Sequence, residues 1–260
     1  MRLAAFQMSA QPGDVAANLA LIEKAASAAA AAGADIVVAP ELATTGYGIG
    51  DALRQLAEPA DGYQVSALAA MAARQRIGIA AGFAESRGGK LYDAAVLVTP
   101  AGERSVYRKC QLYGEYERAL FTPGEAAPAV FTMAGVRMGL LVCYDVEFAE
   151  LPRRVALAGA EVILVPTALP ESPSAPFIAE KVVPVRAFEN QVAVVYANHA
   201  GSDARFTYAG RSCIAMPDGR EAARAAVAEA TLIVAEYDRA AYAASRAANS
   251  YLADRRADLL

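Results

Sequence analysis

Cys143 closes the apolar run from Val136 to Val142 and is followed at once by Tyr144, Asp145 and Glu147. The run reads as a buried strand, which puts the thiol at a strand end. On a tight turn there, following backbone N–H groups point toward the same place, as when an α/β scaffold presents a nucleophile. A buried Cys packed as a small hydrophobe is the competing reading. A nucleophilic thiol needs a base, and two residues compete for that role. His199, the single His of the chain, lies just past an apolar run in Tyr196-Ala197-Asn198-His199. Glu41 follows the run Ala34 to Pro40 and precedes a Gly-rich loop. A carboxylate at the end of a buried strand is costly unless partnered or solvated, so Glu41 is either a functional acid or a loop acid facing water. Lys109 closes the segment Ser105 to Lys109, and of the 24 Lys and Arg residues only four are Lys. A compact ammonium fits beside a single developing oxyanion better than a broad guanidinium does, although an ordinary snorkelling Lys would look the same. Glu41, Lys109 and Cys143 each stand at the carboxyl end of an expected strand, which is where α/β sheets place their sites. A carboxylate base, an ammonium and a thiol suffice for acyl transfer without His or metal.

The elements that must position these residues alternate between short apolar runs and Ala-rich helical segments. The pattern predicts a helix over Val15 to Ala32 with Asp14 as N-cap and Gly33 as its stop, a strand over Ala34 to Pro40, a helix from Gln64 to Arg74 and a strand from Ile77 to Phe83. A hairpin is expected from Asp93 to Thr99 and Arg104 to Lys109, turning at Pro100-Ala101-Gly102. A long loop through Phe121-Thr122-Pro123-Gly124 leads to a second hairpin, Ala129 to Thr132 and Val136 to Val142. Beyond it come a helix from Glu147 to Gly159, a strand over Val162 to Val165 and a helix from Pro176 to Asn190 interrupted by Pro184. Strands over Val192 to Ala197, Ser212 to Met216 and Leu232 to Tyr237, then a helix from Asp238 to Ala248, complete the reading. Helix–strand alternation with two hairpins implies an α/β fold with mixed pairing, either one mixed sheet or two sheets face to face with helices outside. Nothing in composition marks a boundary, so residues 1–260 are read as one domain.

Composition excludes several classes of function. The chain has 260 residues and a net charge of -4, with Arg scattered rather than blocked, which gives no cationic field for nucleic acid. Three Cys form no CxxC pair and only one His is present, which disfavours a zinc site and points to a reducing, cytoplasmic setting. The N-terminus turns polar at Gln7 and the Ala run near residues 25–32 is too short for a membrane span. No cofactor, metal, nucleic acid or membrane partner is implied.

Taken in order, the motifs match a known family. Leu3-Ala4-Ala5-Phe6-Gln7-Met8, Ala39-Pro40-Glu41-Leu42 with Thr45-Gly46-Tyr47, Tyr107-Arg108-Lys109, Leu112-Tyr113, Phe121-Thr122-Pro123-Gly124, Cys143-Tyr144-Asp145, Arg186-Ala187-Phe188-Glu189-Asn190 and Tyr196-Ala197-Asn198 run nearly end to end. In this order and spacing the chain resembles the nitrilase superfamily, the carbon-nitrogen hydrolases. The resemblance implies a four-layer αββα sandwich and a Glu-Lys-Cys triad, carried here by Glu41, Lys109 and Cys143. It also implies a second active-site glutamate shortly before the Pro-Gly, which falls on Glu117, with Glu115 the competing position.

The mechanism that the resemblance implies uses Lys109 and the backbone N–H of Tyr144 as oxyanion donors, Glu41 as the proton carrier and a thioester on Cys143. Tyr47, Tyr113, Phe148, Thr167 to Pro170 and Asn198 are expected to line the pocket. Asp145, Glu147 and Arg154 are expected to brace the turn after Cys143. Nitrilases resemble one another in a Cys-Trp-Glu nucleophile motif, whereas this chain has Cys143-Tyr144-Asp145 and no Trp. That favours an amidase acting on a small carboxamide, with N-carbamoyl or nitrile hydrolysis as alternatives. A catalytically silent, ligand-binding or regulatory member is the rival from another class, and a thiol redox protein would need a resolving Cys near Cys143. His199 is then read as a strand-end residue, and Cys110 and Cys213 as incidental thiols. Homodimers or higher homo-oligomers are expected.

Overall fold

A computed structural model describes residues 1–125, 129–227, 229–256 and 258. The first half of the chain contains β1 (Arg2–Gln7), α1 (Val15–Ala31), β2 (Ile36–Val38), α2 (Ala52–Leu56), α3 (Tyr63–Gln75), β3 (Gly78–Arg87), β4 (Lys90–Val98), β5 (Arg104–Arg108) and α4 (Gly114–Leu120). The second contains β6 (Val130–Met133), β7 (Val136–Leu140), a 3₁₀ turn (Cys143–Glu147), α5 (Glu150–Leu157), β8 (Val162–Thr167), α6 (Ala175–Phe177), a π-helical turn (Ile178–Val182) and α7 (Val183–Asn190). It continues through β9 (Ala193–Asn198), β10 (Cys213–Ala215), β11 (Glu221–Arg224), β12 (Thr231–Glu236), α8 (Ala243–Ala248) and α9 (Tyr251–Asp254).

Among the described residues the strands form two six-stranded mixed sheets, ordered β12-β1-β2-β3-β4-β5 and β11-β10-β9-β8-β7-β6. Parallel pairing at β1–β2–β3 and β7–β8–β9 sits at the centre of each sheet, with antiparallel strands outside it. The sheets face each other, and α1 and α3 pack on the outer face of the first. Alternation decides which side chains meet between the sheets. Leu3, Ala5, Ile36, Val38, Ala95, Leu97 and Tyr107 join the core shared with the second sheet. Their neighbours Ala4, Val37, Ala94, Val96 and Val98 pack under the helices α1 and α3. On the far side α5 and α7 add Val155, Val183 and Ala187 to the core that contains the second sheet. The α/β class and the face-to-face arrangement with helices outside agree with the sequence reading.

Several local expectations shift. Asp14 does cap α1, accepting from the Ala17 N–H. The segment Glu147 to Gly159 is not one helix, because the chain first makes the 3₁₀ turn and only then enters α5. The helix expected from Pro176 to Asn190 with an interruption at Pro184 is a continuous helical run from α6 to α7, irregular at the π-helical turn Ile178–Val182 that immediately precedes Pro184, whose missing N–H removes a helix bond. The Gly88-Gly89 turn, both residues at positive φ, joins β3 and β4 into a long hairpin not foreseen from the sequence. The long loop before Phe121 contains α4. Among the described residues no helix is long and apolar enough to cross a membrane.

Candidate active site

Strand ends and turns bring Glu41, Lys109, Glu117 and Cys143 together between the two sheets, all four buried. Glu41 follows β2, and its backbone N–H reaches the Thr167 carbonyl at the end of β8 at 3.4 Å. The turn carrying it lies against β3 so closely that a Cβ on Gly82 would stand 2.5 Å from Glu41 Cα and 2.2 Å from the Leu42 nitrogen. Only glycine fits there. A second glycine does the same for the lysine: Gly124 donates its N–H to the Lys109 carbonyl at 2.8 Å, and a Cβ on it would stand 2.3 Å from the Arg108 oxygen. Lys109 follows β5 in the inward register of Tyr107, which turns its side chain between the sheets.

Lys109 Nζ donates to Glu41 Oε1 at 2.5 Å and to Glu117 Oε1 at 2.6 Å, and lies 3.6 Å from Asp93 Oδ2. Burial works against the ammonium, but the charges of Glu117 and Glu41 outweigh it and hold its pKa well above the ordinary lysine range. Burial alone would raise Glu41, yet the Lys109 charge and its hydrogen bond hold it below the usual glutamate range. Glu117 stands in the first turn of α4 and keeps a raised pKa, with burial as the main cause. Its Oε1 also accepts the Tyr47 hydroxyl at 2.7 Å and its Oε2 the Tyr113 N–H at 2.7 Å. Glu115, by contrast, is exposed. The acid beside Lys109 is therefore Glu117.

Cys143 heads the 3₁₀ turn with φ 46°, a left-handed conformation that a non-glycine residue adopts only when its surroundings impose it. Asp145 imposes it: Oδ2 accepts the Val142 N–H at 3.1 Å and the Tyr107 hydroxyl at 2.9 Å. Its Oδ1 accepts the N–H groups of Gln111 at 2.8 Å and Cys110 at 3.2 Å, which ties the Cys143 turn to the segment just after Lys109. Arg186 of α7 grips the same turn from behind through the carbonyls of Val146 at 3.0 Å and Glu147 at 2.7 Å. Arg154, expected in that role, is exposed. Burial, reinforced by the Glu41 charge, pushes the Cys143 pKa well above the ordinary thiol value, so the sulfur rests as a neutral thiol beside an ionised carboxylate. Tyr144 is the second residue of the turn, and the first N–H groups of such a turn have no acceptor within it.

The remaining expected pocket residues divide. Tyr113, Tyr144 and Phe148 form an edge-to-face series, with centroids 5.1 and 4.9 Å apart, and Tyr144 directly follows Cys143 in the chain. Tyr47 does not line an open surface. Its ring packs against Tyr116 and Phe206, and its hydroxyl is committed to Glu117. Asn198 is a structural residue, because its amide bonds the backbone of Leu169, His199 and Gly210 and leaves nothing for a ligand. Thr167 is buried with its hydroxyl donating to the Val165 carbonyl. His199 is also buried, with Nε2 2.7 Å from the Glu41 carbonyl oxygen and Nδ1 3.3 Å from that of Met8. It touches the backbone of Glu41 and not the thiol. Cys213 packs in the core of the second sheet, where burial pushes its thiol up to about 12. Glu147, half-buried, is pushed up to about 7 by burial.

Asp93 was not foreseen. It lies on β4 in the inward register of Ala95 and Leu97, is fully buried, and has a carboxylate oxygen within 4.8 Å of one from each of Glu41 and Glu117. The signal was available as an acid on the apolar face of an otherwise clean strand, Lys90 to Val98. The cation at the centre of these three carboxylates is the ammonium of Lys109.

Comparison with known proteins places this geometry. The family model described as carbon-nitrogen hydrolase matches residues 2–247. The chain is 42% identical to a hydrolase encoded in the pqqF 5′ region of Pseudomonas protegens, over 100% of this chain and 90% of that protein. It is 36% identical to an (R)-stereoselective amidase of a Pseudomonas species, over 98% and 92%. A solved amidase from Nesterenkonia sp. AN1 superposes with a TM-score of 0.89 at 35% identity, covering 100% of this chain and 98% of that one. Another structure of that amidase is a complex with butyramide, with a TM-score of 0.88, 34% identity and coverage of 100% and 95%.

Proposed function

The chain belongs to the carbon-nitrogen hydrolases of the nitrilase superfamily, and from that premise we propose that it is an amidase converting a small carboxamide to carboxylate and ammonia through a thioester on Cys143. The observation that carries this reading is the buried Glu41–Lys109–Glu117 set beside a neutral Cys143 thiol: base, oxyanion cation and nucleophile converge in one water-poor place.

The amide oxygen sits between Lys109 Nζ and the Tyr144 N–H. Because the resting sulfur is a thiol, attack on the carbonyl carbon and transfer of the sulfur proton to Glu41 proceed together. Negative charge builds on the oxygen, where the ammonium already stands, and loss of one such donor removes about two to three orders of magnitude in rate. Glu41, now protonated, gives its proton to the leaving nitrogen and ammonia departs. Water then enters, loses a proton to Glu41 and attacks the thioester, and the second intermediate collapses to carboxylate while Glu41 returns the proton to the thiolate. Glu117 holds Lys109 together with Glu41, and Tyr47 and the Tyr113 N–H fix it in turn.

The aromatic series Tyr113–Tyr144–Phe148 supplies an apolar flank for the acyl group, which favours short aliphatic or aromatic amides. Ammonia release across aliphatic, aromatic and ω-amides, carbamoyl compounds and nitriles tests the reading. Turnover on carboxamides that vanishes in Cys143→Ala supports it, whereas turnover confined to nitriles or carbamoyl compounds, or ammonia release that survives Cys143→Ala, overturns it. A cytoplasmic setting is consistent with Cys143 and Cys213 being thiols. The exposed apolar side chains Leu157, Phe177 and Val185 on the outer face of the second sheet favour self-association into a homodimer, and light scattering that finds only monomer at micromolar concentration would exclude it.

A further inference from the structure

We propose that Asp93 is a positioning residue for the base, carried as a neutral acid that donates a hydrogen bond to Glu41 Oε2, the oxygen that Lys109 does not hold. The inference rests on the reading of Glu41 as base and deepens it. Three facts of geometry lead to it. Glu41 Oε2 and both oxygens of Asp93 are buried and accept no well-formed hydrogen bond. The carboxylate oxygens of the two residues lie within 4.8 Å of each other. Lys109 Nζ is 3.6 Å from Asp93 against 2.5 and 2.6 Å from Glu41 and Glu117, so two of its three N–H groups go to the glutamates and Asp93 lies beyond its hydrogen-bond reach. Two ionised carboxylates at this separation would repel each other and leave three buried acceptors bare, a costly arrangement. One proton on Asp93 removes the repulsion and gives Glu41 Oε2 a donor.

The charges facing Asp93 agree with this. From the turn after β2 comes Glu41, from the end of β5 Lys109, and from α4 Glu117. On β3 its partner across the strands is Ala84, while the nearby Glu85–Arg108 ion pair neutralises itself. Burial first, and then the Glu41 charge, push the Asp93 pKa well above the ordinary aspartate range. With Asp93 neutral the cluster carries two negative charges and one positive, and an ionised Asp93 would add a third negative charge in the same buried space. The donated bond leaves Glu41 ionised and fixes its plane, so that the carboxylate faces the Cys143 thiol.

The test compares wild type, Asp93→Asn, Asp93→Leu and Glu41→Gln, reading the rate of Cys143 alkylation by iodoacetamide as a function of pH together with the infrared spectrum. Asn keeps a donor toward Glu41 but cannot ionise, so Asp93→Asn should retain a tenth or more of the wild-type rate and lose any alkaline fall that wild type shows. Leu is of similar size without a donor and should react more than about tenfold slower, the change expected from loss of a hydrogen bond to a charged group. Wild type should show a buried carboxylic-acid carbonyl band at neutral pH that is absent from Asp93→Asn, a readout independent of whether the Leu variant folds. Absence of that band from wild type, or an Asn variant as slow as the Leu variant, would overturn the proposal. A Glu41→Gln variant that alkylates like wild type would instead remove Glu41 as base, whatever the Asp93 variants do.

Discussion

Replacing Lys109 with Met isolates the energetics of the centre, since Met keeps most of the stem volume and removes only the charge. At 2.5 and 2.6 Å the ammonium attracts each glutamate by about 6 kcal/mol at an effective dielectric of about 20, largely offset by the loss of hydration on burial. The net penalty of breaking such a buried cluster by deleting one partner is about 3–5 kcal/mol. Its pH dependence follows from the direction of the shifts. In wild type Glu41 is held below the usual range, so its pairing stabilises the fold above the unfolded glutamate pKa of about 4 and fades as pH falls through the lower folded value. In the variant the same acids have burial and mutual repulsion without a cation, so their folded pKa values rise above about 4 and the fold weakens as pH climbs from there. Above about pH 5 the wild-type contribution is already complete, so from there to about pH 7 the gap widens through the variant's raised acids. Urea unfolding at about pH 7 should therefore give a larger difference than at about pH 5, and the double variant Lys109→Met with Glu117→Gln should recover part of it. A loss under about 1 kcal/mol at neutral pH, or one equal at the two pH values, would refute the assignment of an ionised Glu41–Lys109–Glu117 cluster.

Two further changes probe the scaffold around that centre. Gly82→Ala drives a methyl group into the Glu41 turn, so turnover should fall about a hundredfold through displacement of the base by an ångström or so, while far-ultraviolet circular dichroism stays near wild type; undiminished kcat would show that the turn gives way freely. Asp145→Asn puts an NH₂ group where two donors already converge, whichever oxygen it replaces. Thermal or urea unfolding should show a loss of about 2–4 kcal/mol, and a loss below about 0.5 kcal/mol would mean that Asp145 does not hold the nucleophile turn.

What the sequence discloses and what it hides divide along a physical line. The strand ends carrying Glu41, Lys109 and Cys143 are legible because a buried strand is a short apolar run and a functional residue interrupts it at one end. The layered α/β arrangement is legible for the same reason, through alternating run lengths. The β3–β4 hairpin is hidden because the two strands are so apolar that each reads as a separate buried run, and only the Gly88-Gly89 pair between them signals a turn. Helix α4 was missed because its seven residues carry little periodic signal, yet it delivers Glu117.

The harder residues to read are those whose partners are remote in sequence. Asn198 and Tyr47 look like pocket residues because they are polar groups on loops and strand ends, but whether a polar group faces a ligand or the protein depends on who occupies its hydrogen bonds. Asn198 spends them on backbone up to 29 residues away, and Tyr47 on an acid 70 residues away. Asp93 is the converse case. An acid on the inward face of an apolar strand is an anomaly that alternation exposes locally, but its meaning comes only from Glu41 on one side and Lys109 on the other, which the sheet order brings together. Its burial without a well-formed hydrogen bond is tolerable if it holds a proton, and a proton held beside the base is a constraint on the base. Within this centre the apparent defect, a buried acid with no cation to spare, is the feature that fixes how Glu41 faces the thiol.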